Sequence, residues 1–183
     1  IGYRFVLMAL EENNRQDVIY DMNSRYDVPG YGYQLAHGAT SLTEAWNALR
    51  TSSNNHFMLG HIMEWFYGWL GGIRQQETSC AYKDIIIDPH IAGDVTSAST
   101  SYDSPYGRIE CEWKIENNEY LLRTKIPANT RAMIYLPTDN VNAVTEYGES
   151  LNKRIELRVA EKGNGRMALS SGSGEYLFKV KLK

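Results

Sequence analysis

Arg108-Ile109-Glu110-Cys111-Glu112-Trp113-Lys114-Ile115-Glu116 alternates without a break. Ile109, Cys111, Trp113 and Ile115 fall on one side, and Arg108, Glu110, Glu112, Lys114 and Glu116 on the other. A period of two marks a strand with one buried and one solvated face. Asn117-Asn118 then supplies a turn, and residues 120–126 return as the hairpin partner. Ala132, Ile134 and Leu136 predict another strand, stopped by Pro137. Residues 141–147, 155–159 and 176–182 alternate similarly, with turns at Gly148, Gly163-Asn164-Gly165 and 171–174. About 110 residues with turns at such short intervals have the size and rhythm of an antiparallel β-sandwich.

Upstream of this stretch the pattern changes. Residues 1–73 hold four Arg, no Lys, seven acids and three of the four Trp. Residues 74–183 hold every Lys, with fifteen basic and fifteen acidic side chains. Gly71-Gly72 ends a helical run, so a domain boundary is expected near Arg74. Before it, Tyr3, Val6, Leu7 and Leu10 fall at helical spacing, and Asn13-Asn14 is a plausible stop. Val18, Ile19 and Met22 predict a second helix, and Pro29-Gly-Tyr-Gly-Tyr33 a loop. Leu42, Ala45, Trp46 and Leu49 predict a third helix by i, i+3, i+4, i+7 spacing. A last one, from about residue 55 to 70, is apolar nearly all round and is expected to be buried. These helices cannot close a core alone and read as the end of a larger all-helical domain.

The bulk properties narrow the function classes. The 183 residues are 43% hydrophobic and 22% charged, with a net charge of -3. That balance argues against disorder and against a nucleic-acid surface. The longest apolar stretch, 57–73, is interrupted by His61 and Glu64 and is shorter than the ~20 residues of a membrane-spanning helix. No membrane partner is expected. Cys80 and Cys111 form no CxxC pair; Cys111 reads as a buried thiol, with a Cys80–Cys111 bridge as the alternative. His56 and His61 are five apart, which spreads them around a helix, so no metal pair is expected. The chain begins Ile1-Gly2-Tyr3, without Met or a leader, and reads as the inside of a larger protein. Its compartment, whether periplasmic, extracellular or cytoplasmic, stays open.

Several segments combine into a family resemblance covering nearly the whole chain. His37-Gly-Ala-Thr-Ser-Leu-Thr-Glu-Ala-Trp46 resembles the segment ending in Glu-x-Trp of bacterial α-L-rhamnosidases. Ser53-Asn-Asn-His56 resembles that family's Asn-His segment, and Glu64-Trp-Phe-Tyr67 with Leu70-Gly-Gly-Ile73 the end of its last barrel helix. Ser101-Tyr-Asp-Ser-Pro-Tyr-Gly107, Ile126-Pro-Ala-Asn-Thr130 and Ser173-Gly-Glu-Tyr-Leu-Phe178 look like its C-terminal domain. The resemblance implies an α+β chain: the last helices of an (α/α)6 barrel over 1–73, followed by an antiparallel β-sandwich over 74–183. It implies inverting hydrolysis of terminal α-L-rhamnose from a glycoside or polysaccharide, without a cofactor. The remainder of the barrel would be the partner of this chain, and the general acid would lie upstream of everything present. The isolated chain is therefore expected to be inactive.

Inverting hydrolysis needs two carboxyl groups, one to protonate the leaving oxygen and one to activate water. By its place in the Glu-x-Trp segment, Glu44 matches the family's general base. Ser41-Leu-Thr-Glu44 also fits a capping box, in which the Glu would reach back to the Ser backbone. The roles compete, because a carboxylate closing a cap is not aimed into a cleft. His56 matches the family's substrate-contacting His; its other reading is a helix-start His satisfied by backbone. Tyr31, Tyr33 and Trp46 are candidate sugar-stacking aromatics, with core packing the alternative for Trp46. Thr43 stands where the family usually has Trp, and Asn54 where Phe is common. These departures keep open a glycosidase of the same barrel acting on another sugar. A third reading is a non-catalytic carbohydrate-binding or structural sandwich module, which aromatics along a sandwich face would favour.

Overall fold

A computed structural model describes residues 2–47 and 52–182. Contacts divide the chain into two compact units: Ile1–Phe66 with Ile91–Asp94, and Tyr67–His90 with Val95–Lys183.

The first unit is helical. Helices α1 (Gly2–Glu12), α2 (Gln16–Ser24) and α3 (Tyr31–Ala36) are followed by a 3-10 turn, Phe57–Leu59, and a short α4 (Ile62–Trp65). Asn14 ends α1 in the left-handed conformation, φ +55°, as its short polar side chain allows. Leu7, Ile19, Leu59, Ile62 and Trp65 are buried. The Trp65 indole N–H donates to Gln16 Oε1 at 2.6 Å, so the one polar atom of the ring is satisfied.

Three helical expectations are corrected here. Pro29–Tyr33 is not all loop, because Tyr31 opens α3. A Cβ on Gly32 would lie 2.3 Å from the Arg25 carbonyl oxygen, so only glycine lets α3 pack this close to the preceding turn. The helix expected over Leu42, Ala45 and Trp46 does not form; 42–43 are irregular, 44–47 are bends and turns, and Leu49 lies outside the described residues. The backbone of 42–44 bonds to 53–56 instead, and Ser and Thr side chains compete for the rest. The last helix is broken into the 3-10 turn, α4 and a π-helical turn, Phe66–Leu70. It is not buried all round: Phe57 is 87% exposed.

The second unit is the sandwich. One sheet has the order β1 (Ile73–Gln75), β2 (Asp84–Ile87), β6 (Arg131–Leu136), β10 (Arg166–Ser171), β9 (Arg158–Gly163). The other runs β3 (Ser97–Ser104), β4 (Gly107–Glu116), β5 (Glu119–Ile126), β11 (Gly174–Lys181), β7 (Val144–Glu146), β8 (Glu149–Ser150). Ile109, Cys111 and Trp113 of β4 face inward and join Leu122, Phe178 and Val180 with Ile85, Ile87, Ile134 and Leu169 of the other sheet in one core. The Trp113 N–H donates to the Leu70 carbonyl at 2.8 Å.

The strands differ from expectation in particular places. β2 and β6 pair in parallel, Ile85 opposite Ala132, so the sandwich is antiparallel except there. Residues 155–159 do not form a strand of their own. Ile155 is 89% exposed, Leu157 turns inward, and β9 begins at Arg158. Val141–Ala143 is a 3-10 turn ahead of β7. β3, Ser-Ala-Ser-Thr-Ser-Tyr-Asp-Ser, has no apolar alternation and is held by pairing along its whole length with β4. Cys80 is exposed and Cys111 buried, and both are free, so the bridge alternative falls. Burial pushes the Cys111 thiol far up, away from reactivity.

Candidate functional site

The segment that carries the candidate catalytic residues folds back on itself within the helical unit. The Glu44 N–H donates to the Ser53 carbonyl at 2.9 Å, and the His56 N–H to the Leu42 carbonyl at 2.8 Å. These two bonds clamp the stems of a loop. The Ser41 hydroxyl donates to the Asn54 carbonyl, and the Thr43 hydroxyl to the Ala45 carbonyl at 2.8 Å. Residues 37–41, Thr43 and Asn54 line a cleft of about 330 Å³ beside the clamp. Gly38, at φ +79°, turns the chain at its edge.

Glu44 does not close a capping box, because no helix starts at Ser41. Its carboxylate is exposed, and Oε2 accepts from the Ser53 N–H at 3.2 Å. The other oxygen makes no hydrogen bond among the described residues. One oxygen is thus oriented and one is open. No carboxylate lies among the cleft's own lining side chains.

His56 caps the 3-10 turn: its Nδ1 accepts from the Met58 N–H at 3.1 Å. A neutral imidazole accepting at Nδ1 carries its proton on Nε2. The backbone role expected as an alternative is therefore present, and it leaves a donor over. Tyr33 stacks on His37 with ring centroids 3.8 Å apart, and His37 Nδ1 lies 2.8 Å from the Tyr33 carbonyl. The stack abuts the cleft through His37. Trp46 lies edge-on between Tyr3 and Tyr31, at 4.9 and 5.0 Å. The Tyr31 hydroxyl donates to the Leu59 carbonyl, and that of Tyr3 to Asn23 Oδ1 at 2.5 Å. Burial pushes Tyr3 up to about 12 and Tyr31 higher still, so both remain neutral donors.

Five residues singled out from the sequence thus fall in one unit, four of them as two pairs and Tyr33 apart. Glu44 and His56 stand at the clamp, and Tyr31 and Trp46 share an aromatic cluster; Tyr33 approaches the cleft only through His37. The lining roles of Thr40 and Ser41 were not read from the sequence, since small hydroxyl side chains in a loop carry no spacing signal. Thr43 and Asn54, noted only as departures, both line the cleft. Among the described residues no group of three His, Cys, Asp or Glu could hold a metal ion, and no helix is long and apolar enough to cross a membrane.

Residues 1–70 match the model of the bacterial alpha-L-rhamnosidase 6 hairpin glycosidase domain, and 72–150 that of the bacterial alpha-L-rhamnosidase C-terminal domain. An alpha-L-rhamnosidase of Formosa agariphila is 28% identical over 99% of this chain and 20% of its own length. One of Streptomyces avermitilis is 26% identical over 90% of this chain and 17% of its own. The chain thus spans about a fifth of the length of these relatives. The crystal structure of the Streptomyces avermitilis enzyme complexed with L-rhamnose superposes with a TM-score of 0.83, at 26% identity over 96% of this chain and 17% of that one. An alpha-L-rhamnosidase structure from Dictyoglumus thermophilum, 24% identical, shares the fold with a TM-score of 0.86 over 99% of this chain and 20% of that one.

Proposed function

Since the chain belongs to the bacterial α-L-rhamnosidase family, as the C-terminal part of its six-hairpin glycosidase domain followed by its C-terminal domain, we propose that it supplies the general base of an inverting α-L-rhamnosidase. The helices that precede β1 contribute to the catalytic barrel, and the strands from β1 onward form the sandwich that follows. The substrate is a rhamnose-containing glycoside or polysaccharide. The rest of the barrel, with the general acid, completes the site across the exposed apolar faces of the helical unit.

The observation that carries this reading is the state of Glu44. Its carboxylate is exposed, oriented by one amide and open at its second oxygen, on the segment that lines a polar cleft through Ser41 and Thr43. An ionised carboxylate held in this way can take the proton of an attacking water. The general acid would stand ~6.5–9.5 Å away to leave room for that water. His56 donates from Nε2 to a sugar hydroxyl, Tyr33 backs the cleft through His37, and Trp46, held by Tyr31, offers an aromatic edge for the apolar side of the sugar.

Replacing Glu44 by Gln in the whole parent enzyme tests this. Turnover of an aryl α-L-rhamnoside should fall by about 10²- to 10⁴-fold, with the melting temperature unchanged. Unchanged turnover would reduce Glu44 to a brace for Ser53. The 183-residue chain by itself should not turn over the same substrate, and robust turnover would defeat the division of the carboxylate pair.

A second reading is favoured by Thr43 and Asn54. Both line the cleft, in places where the family usually carries large aromatics. A cleft with small polar side chains at these places fits a glycosidase for another sugar. A kcat/KM series of aryl glycosides on the parent enzyme separates the two, with the α-L-rhamnoside fastest on the first reading.

A further inference from the structure

The outer face of the six-stranded sheet holds a second cleft, of about 340 Å³, in the sandwich unit. Glu112, Lys114, Leu121, Arg123, Tyr147 and Leu177 line it. The register places them in a row. Glu112 of β4 is opposite Arg123 of β5, and Arg123 is opposite Leu177 of β11. The Tyr147 N–H then donates to the Leu177 carbonyl at 3.0 Å.

Tyr147 is the unusual member. It and Gly148 form the two-residue loop between β7 and β8, with φ +46° and +83°. That is the type I′ geometry, in which Asn or Asp normally takes the first seat. A bulky aromatic there is strained by roughly 1–2 kcal/mol. Burial does not offset the strain, because Tyr147 is 55% exposed. Strain of this kind concentrates at functional sites, and here it sets a ring beside a cleft.

The polar groups of the cleft are also incompletely used. Glu112 faces Arg123 in register, yet makes no hydrogen bond or ion pair among the described residues. Arg123 reaches only Glu175, at 3.9 Å, beyond hydrogen-bonding distance. Lys114 is the one committed charge, bound to Glu116 at 2.7 Å. An open acceptor and an open fork of donors therefore flank an apolar floor of Leu121 and Leu177.

We propose that this cleft is a non-catalytic subsite for one pyranose unit of a saccharide. A sugar ring offers an apolar C–H face to the Tyr147 ring. Its rim of hydroxyls both donates and accepts, which Arg123 and Glu112 answer with charge-assisted hydrogen bonds. The pairing of opposite charges disfavours an anionic ligand, since Glu112 would repel what Arg123 attracts. The cleft volume is at the small end of ligand sites and suits one ring rather than a long chain. This subsite uses neither Glu44 nor the helical unit, so it stands or falls apart from the catalytic reading.

The test is an NMR titration of the whole 183-residue chain with the methyl glycosides of L-rhamnose, D-galactose and D-glucose. At least one should shift the amides of Leu121, Arg123, Tyr147 and Leu177 in a saturable way. Tyr147→Asn suits the I′ turn better, so it should keep or raise the melting temperature while weakening that binding about tenfold. Glu112→Gln should weaken it in the same direction. Saturable shifts confined to residues 37–56, no saturable shift with any of the three sugars, or wild-type binding by Tyr147→Asn would each overturn the proposal.

Discussion

Asp88 shows what a single side chain can hold together in the sandwich unit. Its Oδ2 meets Arg74 at 2.7 Å and His90 at 3.0 Å, and its Oδ1 meets Arg166. Arg74 also donates to the Gly68 carbonyl and lies 3.9 Å over the Trp69 ring. Burial acts to raise the Asp88 carboxyl, but the hydrogen bond and charge of His90, with the charges of Arg166 and Arg74, outweigh it and hold the group well below the carboxylate range. Asp88→Asn should cost about 3 kcal/mol in urea unfolding at neutral pH, because it strands buried charge. A carboxyl depressed by folding contributes fully above its unfolded value of ~3.9 and loses that contribution as pH falls through the folded value. The gap between wild type and Asp88→Asn should therefore not narrow from neutral pH down to about pH 5, and should narrow below about pH 4. A gap that instead narrows above pH 5 would assign the stabilisation to another group. His56 allows a second separation of roles. Asn also caps helical turns, so His56→Asn should leave the melting temperature nearly unchanged. In the parent enzyme it should raise KM if Nε2 contacts the sugar, and leave KM unaltered if the cap is its sole role.

Turns and glycines decide the elements. The β4–β5 hairpin closes through Asn117 and Asn118, both left-handed at φ +52° and +61°. Asn tolerates this conformation where a β-branched residue does not. Asn117→Val should therefore lower the stability of the sandwich by about 1–2 kcal/mol, read from the midpoint of urea unfolding with an unchanged slope. Gly72, at the start of the sandwich, is more restricted. Its φ is +82°, and a Cβ there would lie 2.4 Å from the Pro89 backbone nitrogen. Gly72→Ala should destabilise the sandwich more than Asn117→Val, because backbone cannot move aside as a side-chain tip can. In the helical unit the loop clamped by Glu44–Ser53 and Leu42–His56 has the same dependence on local bonding rather than apolar burial.

The two units differ in how much core each has. The sandwich buries Trp113, Tyr120, Phe178 and the aliphatic rows of both sheets in one cluster. The helical unit buries few large side chains and leaves Phe5, Leu35, Phe57 and Met63 at least half exposed. Burial of apolar surface is the main term that stabilises a domain. Hydrogen exchange on the whole chain should show the slowest amides at Trp113, Leu122 and Phe178, and much faster exchange through α1, α2 and α3. Equal protection in both units would mean that the helical unit is stabilised by more than its visible core. Exposed apolar faces of this extent mark contact surfaces, in keeping with a helical unit that is part of a larger barrel.

The sequence by itself determined the sandwich, since period-2 alternation at 108–116, 120–126 and 176–182 leaves only one face for the core. It also marked the place where helices end and strands begin, because composition and period change together there. The ordered segments from His37 to Phe178 carried the family, which periodicity could not. What alternation could not reveal was β3, whose side chains lack a pattern and whose backbone is held by its neighbour. The parallel β2–β6 pair escaped as well, because pairing direction leaves no local trace. Only the tertiary structure decided the fate of residues 42–47 and 52–56. Helical spacing and a capping box were both written there, yet bonds between positions far apart in the loop prevailed over both. That outcome frees the Glu44 carboxylate from the cap and lets His56 bind backbone at one nitrogen while keeping a donor at the other. It also seats Tyr147 on a strained turn beside Arg123 and Glu112, an arrangement made by strand register and invisible along the chain.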